Sequence, residues 1–286
     1  MSIIEIKSDK LTVGIDTLGS ELMYINGAGG TEFLWNGEES VWSYRSPILF
    51  PICGGLKNDT YTLNGKAYTM PKHGFLRNAE FEGKKISESK AEFILNSNEE
   101  RMEKLPFEHT FKTVFEVVEN TLMVSYIVEN RSGKEMYFSV GAHEGYSCPE
   151  GIEEYEVQFD EPQTLDTYCL DGTVIGNTTQ RIIENSKVLS LKTEYFTTDA
   201  LIFKNVNFKK VTLAHKNSTK KVVLGFDTPN NFLIWQKPGA KYICLEPWDG
   251  ISDSVDSDGD ITHKEAIIRL GADKTYKMTH TMEFFE

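Results

Sequence analysis

The sequence predicts an all-β protein of the sandwich or barrel type, folded as one domain over residues 1–286. Three observations lead there. Short runs of alternating apolar and polar residues recur from end to end, the period of a half-buried strand. Gly, Asn and Asp clusters punctuate those runs, as turns do. Helical periodicity is nearly absent, and only Asn98 to Lys104 reads as a helical turn. The 286 residues are 40% hydrophobic and 26% charged, an ordinary globular balance with length enough for a large core.

The elements follow in order. Ile4 and Ile6, then Leu11, Val13 and Ile15, give two period-two runs broken at Ser8-Asp9-Lys10. Thr31 to Trp35 reads as a short strand closed by Asn36-Gly37, a strong hairpin signal. Asn64-Gly65, between Tyr61-Thr62-Leu63 and Ala67-Tyr68-Thr69, predicts a second hairpin. Phe111 to Val118, Leu122 to Val128 and Met136 to Val140 predict a three-stranded meander, rich in β-branched and aromatic residues. Glu150 to Thr193 is more polar and reads as a loop-like excursion from the sheet. Further strands are expected at 201–203, 211–213, 222–226, 232–235, 242–245, 267–270 and 276–285.

Composition narrows the function. The net charge is −13 and the pI about 5.0. An acidic chain without a basic stripe argues against nucleic acid and anionic membranes as partners. Neutral small molecules or other proteins are the expected partners, phosphorylated ligands only through a local basic pocket, with a homodimer admitted as an assembly. Cys53, Cys148, Cys169 and Cys244 are scattered, with no Cys-x-x-Cys pair to suggest a zinc ribbon or a thioredoxin-type site. The N-terminus lacks the apolar stretch of a signal peptide, and no run reaches the ~20 apolar residues of a membrane span. The expectation is a soluble cytoplasmic protein with reduced thiols.

Three positions stand out chemically. The apolar run Tyr242 to Leu245 ends in Glu246, and Pro247, lacking a ladder N–H, is expected to stop the strand there. Glu is depleted in strands, so Glu246 either marks arrival at solvent or serves as a base held on a rigid element beside Trp248. His73 sits in a turn bracketed by Pro71 and Gly74. His143 follows small residues, Gly141 and Ala142, that leave room for something to approach. Two histidines and a carboxylate at strand ends are the parts of an acid–base site without a covalent nucleophile. His109, His215, His263 and His280 lie in polar or alternating contexts and are expected to be solvated. No nucleophile elbow, P-loop or dinucleotide fingerprint occurs. Ser254, Asp256, Asp258, Gly259 and Glu265 match the spacing of a calcium loop, but the first carboxylate and both flanking helices are missing. No metal and no cofactor are expected.

Taken together, Arg45-Ser-Pro-Ile-Leu-Phe-Pro51, Leu56-Lys-Asn-Asp-Thr-Tyr61, Pro71-Lys-His-Gly-Phe75, Gly141-Ala-His143, Asp199-Ala-Leu-Ile-Phe203 and Cys244-Leu-Glu-Pro-Trp248 resemble the aldose 1-epimerase (galactose mutarotase-like) family, nearest its LacX-type branch. The resemblance covers essentially the whole chain. It implies a β-supersandwich with a hexose in a groove across one sheet, opened and closed at C1 without a cofactor. It implies Glu246 as general base, His143 as general acid, His73 as supporting histidine and Asp199 as a ligand of sugar hydroxyls. Trp248, Trp42 or Phe75 would stack on the sugar. The chain departs from the family pattern at Gly55, where members usually carry an arginine that helps hold the sugar, and at Glu144, where branch members often have proline. Arg45 or Lys57 is therefore expected to replace the arginine. Two alternatives accompany this reading: a non-catalytic carbohydrate-binding or regulatory protein on the same scaffold, and a hexose-phosphate mutarotase with Arg45, Lys57, Lys72 and Arg77 as its basic pocket.

Overall fold

The computed structural model describes residues 2–286. Its backbone is a large antiparallel sheet of nine strands and a smaller one that carries Glu246. The large sheet runs, in spatial order, Val174–Ser190, Tyr155–Asp171, Lys210–His215, Lys221–Phe226, Thr275–Phe285, Thr121–Asn130, His109–Val118, Lys90–Asn96 and Glu82–Ser87. In the smaller sheet Tyr242–Asp249 is central. Asn231–Trp235 and then Leu201–Phe203 lie on one side of it, and Val140–Gly141 and Glu144–Ser147 on the other. Alternation dictates what each face buries. Ile243 and Leu245 turn into the core shared with the large sheet, where Phe226 stacks on Phe232 across the sheets at 5.7 Å. Tyr242, Cys244, Glu246 and Trp248 take the opposite face.

The expected strands at 201–203, 211–213, 222–226 and 232–235 are present, as are the hairpin at Asn64-Gly65 and the helical turn, now Glu99–Lys104 with Asn98 as its N-cap. Four local expectations are corrected. Pro247 does not stop its strand, which continues to Asp249. The missing N–H is tolerated because the Pro247 carbonyl still accepts from Ala142 N–H at 3.2 Å. The third meander strand does not pair with the second. Met136–Phe138 joins Ile268–Leu270, Val140–Gly141 joins the Glu246 strand, and the C-terminal strand Thr275–Phe285 takes the vacated place. Residues 150–193 are not a loop but hold the longest hairpin of the molecule, Tyr155–Asp171 with Val174–Ser190. Thr31 to Trp35 does not fold back at Asn36-Gly37. Its backbone instead joins the outer side of Glu144–Ser147, with Trp35 N–H donating to Gly145 O at 2.8 Å and Ser147 N–H to Phe33 O at 2.8 Å. That pairing delivers the next segment, Trp42 included, onto the outer face of the smaller sheet.

Candidate active site

Register builds the centre of the site. Gly141 pairs with Trp248 and Glu144 with Leu245, so His143 stands directly across from Glu246. On the other flank Leu233 pairs with Glu246 and Trp235 with Cys244. Side chains opposite one another share a face. His143 Nε2 accordingly lies 3.4 Å from Glu246 Oε2, both residues largely buried. Trp42 closes over them, stacked on His143 at 5.2 Å with rings 29° apart. Its approach depends on Gly145, where an added Cβ would come within 2.9 Å of the Trp42 ring. Trp35 Nε1–H fixes the Trp42 backbone by donating to its carbonyl at 2.8 Å.

His73 arrives from the turn after Lys66–Thr69. Its backbone is left-handed, φ 67°, followed by Gly74 at φ 72°. Two hydrogen bonds hold that conformation: His73 N–H donates to Gly54 O at 2.8 Å, and Gly54 N–H donates to His73 Nδ1 at 3.1 Å. With Nδ1 an acceptor, the proton of the neutral ring sits on Nε2. The ring packs edge-on to both His143 and Trp248, at 5.6 Å each. Asp199 lies just before the strand Leu201–Phe203, its Oδ1 accepting from Ala200 N–H at 2.7 Å. His73, His143, Asp199, Glu246 and Trp248 all line one cavity of about 420 Å³, a volume typical of small-molecule sites. Trp235, Thr173, Lys72, Arg77 and Lys237 complete much of its wall.

Arg45, Lys57 and Phe75 do not line this cavity. The Arg45 guanidinium donates to Met23 O at 2.6 Å. Lys57 Nζ donates to the carbonyls of Val255 and Ser257, at 2.7 and 3.3 Å, and so ties down the acidic loop. Phe75 packs in the core against Phe50. Neither cation therefore replaces the family arginine. The reason for the glycine is also visible. A Cβ on Gly55 would lie 2.8 Å from the carbonyl oxygen of Thr173, at the tip of the long hairpin, and its φ is not left-handed. The hairpin tip leaves no room for a side chain at position 55 without a shift. Gly55→Ala and Gly55→Arg should thus each lose about 1–3 kcal/mol of stability, the range for overpacking, as read from denaturant midpoints. A neutral Gly55→Ala would show that the hairpin tip yields freely.

Burial sets the charges. It holds Glu246 well above the usual carboxylate range, opposed chiefly by Lys72 and reinforced by Asp199. It pushes His143 down to about 3 and holds His73 well below the usual imidazole range, with the charges of His143, Lys72 and Arg77 adding to the effect on His73. Both shifts in the His143–Glu246 pair favour one arrangement, a neutral imidazole beside a protonated carboxyl. His143, Cys244 and Glu246 bring one donor atom each within 4.8 Å, the one such group among the described residues. Burial pushes the Cys244 thiol well up, whereas a metal ligand must be the thiolate. In the calcium-like loop Asp258 pairs with His263 at 2.9 Å and Asp260 accepts from Thr262 at 2.8 Å, while Glu265 pairs outside it with Lys204 at 2.7 Å.

Two histidines expected at the surface are not there. His109 is buried, its Nδ1 2.9 Å from Phe107 O. His280 is buried against Glu144. Sequence reading also missed Trp235 and Lys237. Trp235 could have been found from its spacing of two from Leu233, given the strand pairing. Lys237 carries no local signal, since only the turn after Trp235 brings it to the cavity.

The model of the aldose 1-epimerase family matches residues 2–279. The chromosomal protein LacX of Lactococcus lactis subsp. lactis is 28% identical over 281 residues, covering 93% of this chain and 94% of the relative. A galactose mutarotase related enzyme from Lactobacillus acidophilus superposes with a TM-score of 0.95 at 30% identity, over 100% of this chain and 98% of that one. A galactose mutarotase-like protein from Lactobacillus casei does so at 0.94 and 26% identity, over 99% and 100%. No helix of the described residues is long and apolar enough to cross a membrane.

Proposed function

The chain belongs to the aldose 1-epimerase family, and from that premise we propose that it interconverts the α and β anomers of an aldose. The observation that carries this reading is the His143–Glu246 pair, 3.4 Å apart on the floor of a cavity walled by Trp42 and Trp248. The pair works with one proton. Glu246, as carboxylate, takes the C1 hydroxyl proton. The C1–O5 bond breaks as C1 becomes a carbonyl, and His143, as imidazolium, delivers its proton to O5. Rotation about C1–C2 and the reverse transfers close the other anomer, so atoms and charge balance. After ring opening the pair is a neutral histidine and a protonated carboxyl, the arrangement that burial favours. Burial therefore drives the opening transfer, and Lys72 helps return the carboxylate for the next turnover. His73 steadies the site through its ring contacts with His143 and Trp248, and Asp199 accepts from sugar hydroxyls.

A non-catalytic sugar-binding role is favoured by one observation, the loss of the family arginine to Gly55 and Thr173. Polarimetry of freshly dissolved α-glucose and α-galactose separates the two. Mutarotation should accelerate in proportion to protein and be unchanged by exhaustive EDTA treatment. A rate equal to the buffer's on every aldose tested, with sugar still quenching tryptophan fluorescence, would establish the binding role instead.

A further inference from the structure

Resting on the mutarotase reading, we infer that Asp253, held by Lys264, is a positioning residue for His73 and for the hairpin tip in the cavity wall. The two side chains form an ion pair, Lys264 Nζ to Asp253 Oδ1 at 2.8 Å, and are only 2% and 4% exposed. Other lysine pairs, such as Lys112–Glu92 and Lys204–Glu265, are far more open to solvent. Burying a charge pair is a poor route to stability, because apolar residues of similar volume often serve as well or better. The connections of this pair give it another use. Every polar group of Asp253 is engaged. Besides Oδ1 on Lys264, its Oδ2 accepts from Lys57 N–H at 3.0 Å, its N–H donates to Gly55 O at 2.8 Å, and its carbonyl accepts from Ile175 N–H at 2.7 Å. Lys264 Nζ has no other hydrogen-bond partner among the described residues.

These bonds lead to the cavity by two routes. The first ends at His73. Asp253 fixes Gly55 and Lys57, and Ser252 Oγ accepts from Gly55 N–H at 3.2 Å. Gly54, one residue back, exchanges with His73 the two hydrogen bonds that hold its left-handed backbone and leave its ring proton on Nε2. The fit is close: Gly54 is itself left-handed, φ 73°, and a Cβ there would fall 1.8 Å from Ser252 Oγ. A displacement of residues 252 and 253 is therefore passed through Gly54 to the His73 ring. The second route ends at the hairpin. Ile175 N–H donates to Asp253 O, and Ile175 O accepts from Val255 N–H at 2.9 Å, which seats the returning strand two residues after Thr173, part of the cavity wall. Asp253 thus bonds to the supports of two wall segments that come from distant parts of the chain. Misplacing a group by about 1 Å can cost on the order of 10²-fold in rate even when the change lies away from the chemistry. Asp253 and Lys264 do not line the cavity, so they act on the reaction through His73 and the hairpin tip.

The test replaces the pair by apolar residues, Asp253→Leu with Lys264→Met, so that neither side leaves an orphaned charge. Two readings are taken at a temperature where circular dichroism shows the variant folded. The value of kcat/KM for the aldose turned over best should fall about ten- to a hundredfold. Lys90→Met, which breaks an exposed pair of the large sheet, is the control and should change it by less than about twofold. Nitrogen-15 spectra of the histidines should show His73, its signal assigned by loss in His73→Gln, passing from a single Nε2–H tautomer to a mixture. Unchanged His73 signals, or a kcat/KM within about twofold of an active wild type, overturn the inference and leave the mutarotase reading intact. If wild type turns over no aldose, that reading fails by itself, and the His73 signals alone decide the positioning role. Should the double variant not fold, Asp253→Asn takes its place. It keeps an acceptor for Lys57 N–H, so smaller changes in the same readings are expected, and no change in the His73 signals overturns the inference.

Discussion

Glu246→Gln should lower kcat for mutarotation by about 10²–10⁴-fold, the contribution of one positioned proton-transfer group, while sugar binding survives. Glutamine keeps the shape of the side chain and both flanking contacts, Leu233 on one side and His143 on the other. It loses only the capacity to take the C1 hydroxyl proton. His143→Asn should fall by a similar factor, and the double variant by little more than either alone, because the two groups handle one proton between them. His263→Asn, in the exposed acidic loop, is the control and should leave kcat within about twofold. The pH profile adds a second reading. The working one-proton form is bounded below by His143, pushed by burial to about 3, and above by Glu246, whose raised pKa keeps its proton beyond the usual carboxylate range. The rate should therefore stay level through the acid range where an unperturbed histidine titrates, and decline only as pH rises past the elevated Glu246 value. Undiminished turnover by Glu246→Gln would remove Glu246 from the chemistry.

Local pattern revealed the parts of this site but not their assembly. The run Tyr242 to Leu245 with a carboxylate at its end, the small residues before His143 and the bracketed His73 are all visible in the sequence, because each sits in a strand or turn that short-range chemistry specifies. That Glu246 faces His143 is a statement about register between strands some hundred residues apart, which no local period encodes. Arg45 and Lys57 are the cations expected from sequence to replace the arginine absent at Gly55. Their long side chains instead found backbone carbonyls, of Met23 in one case and of Val255 and Ser257 in the other. The hairpin from Tyr155 to Ser190 was unreadable for a different reason. The first strand does alternate, buried at Tyr155, Val157, Phe159, Gln163, Leu165 and Thr167, but two of those inward positions are polar, and the return strand Val174–Ser190 is exposed over most of its length, so the apolar alternation that marks a strand is broken. Pro247 shows the converse: a strand-breaking residue is accepted in a central strand when its carbonyl still pairs and its neighbours fix the register.

Glu144→Ala should destabilise the protein by about 3–5 kcal/mol, the cost of breaking a buried charged or polar pair from one side. His143 faces the cavity, so Glu144, next along the strand, points the other way into the space between the sheets. There its Oε1 meets His280 Nε2 at 2.9 Å, and both residues are at most 1% exposed. His280 belongs to the strand Thr275–Phe285 of the large sheet, so the contact pins the two sheets together directly behind His143. Deleting the carboxylate leaves the imidazole, whose Nδ1 already lacks a partner, with no hydrogen bond at all. At about 2–4 °C per kcal/mol for a domain of this general size, the melting temperature should drop by roughly 6–20 °C. Replacing both partners by apolar residues of similar volume, Glu144→Met with His280→Phe, should recover most of that loss, since neither then leaves an orphaned polar group. The rate separates a purely structural role from one that reaches the site. If the pair also sets the position of His143, the apolar double variant regains stability but not full kcat. A Glu144→Ala variant as stable as wild type would mean that the buried imidazole needs no partner, and the pinning role would be lost with it.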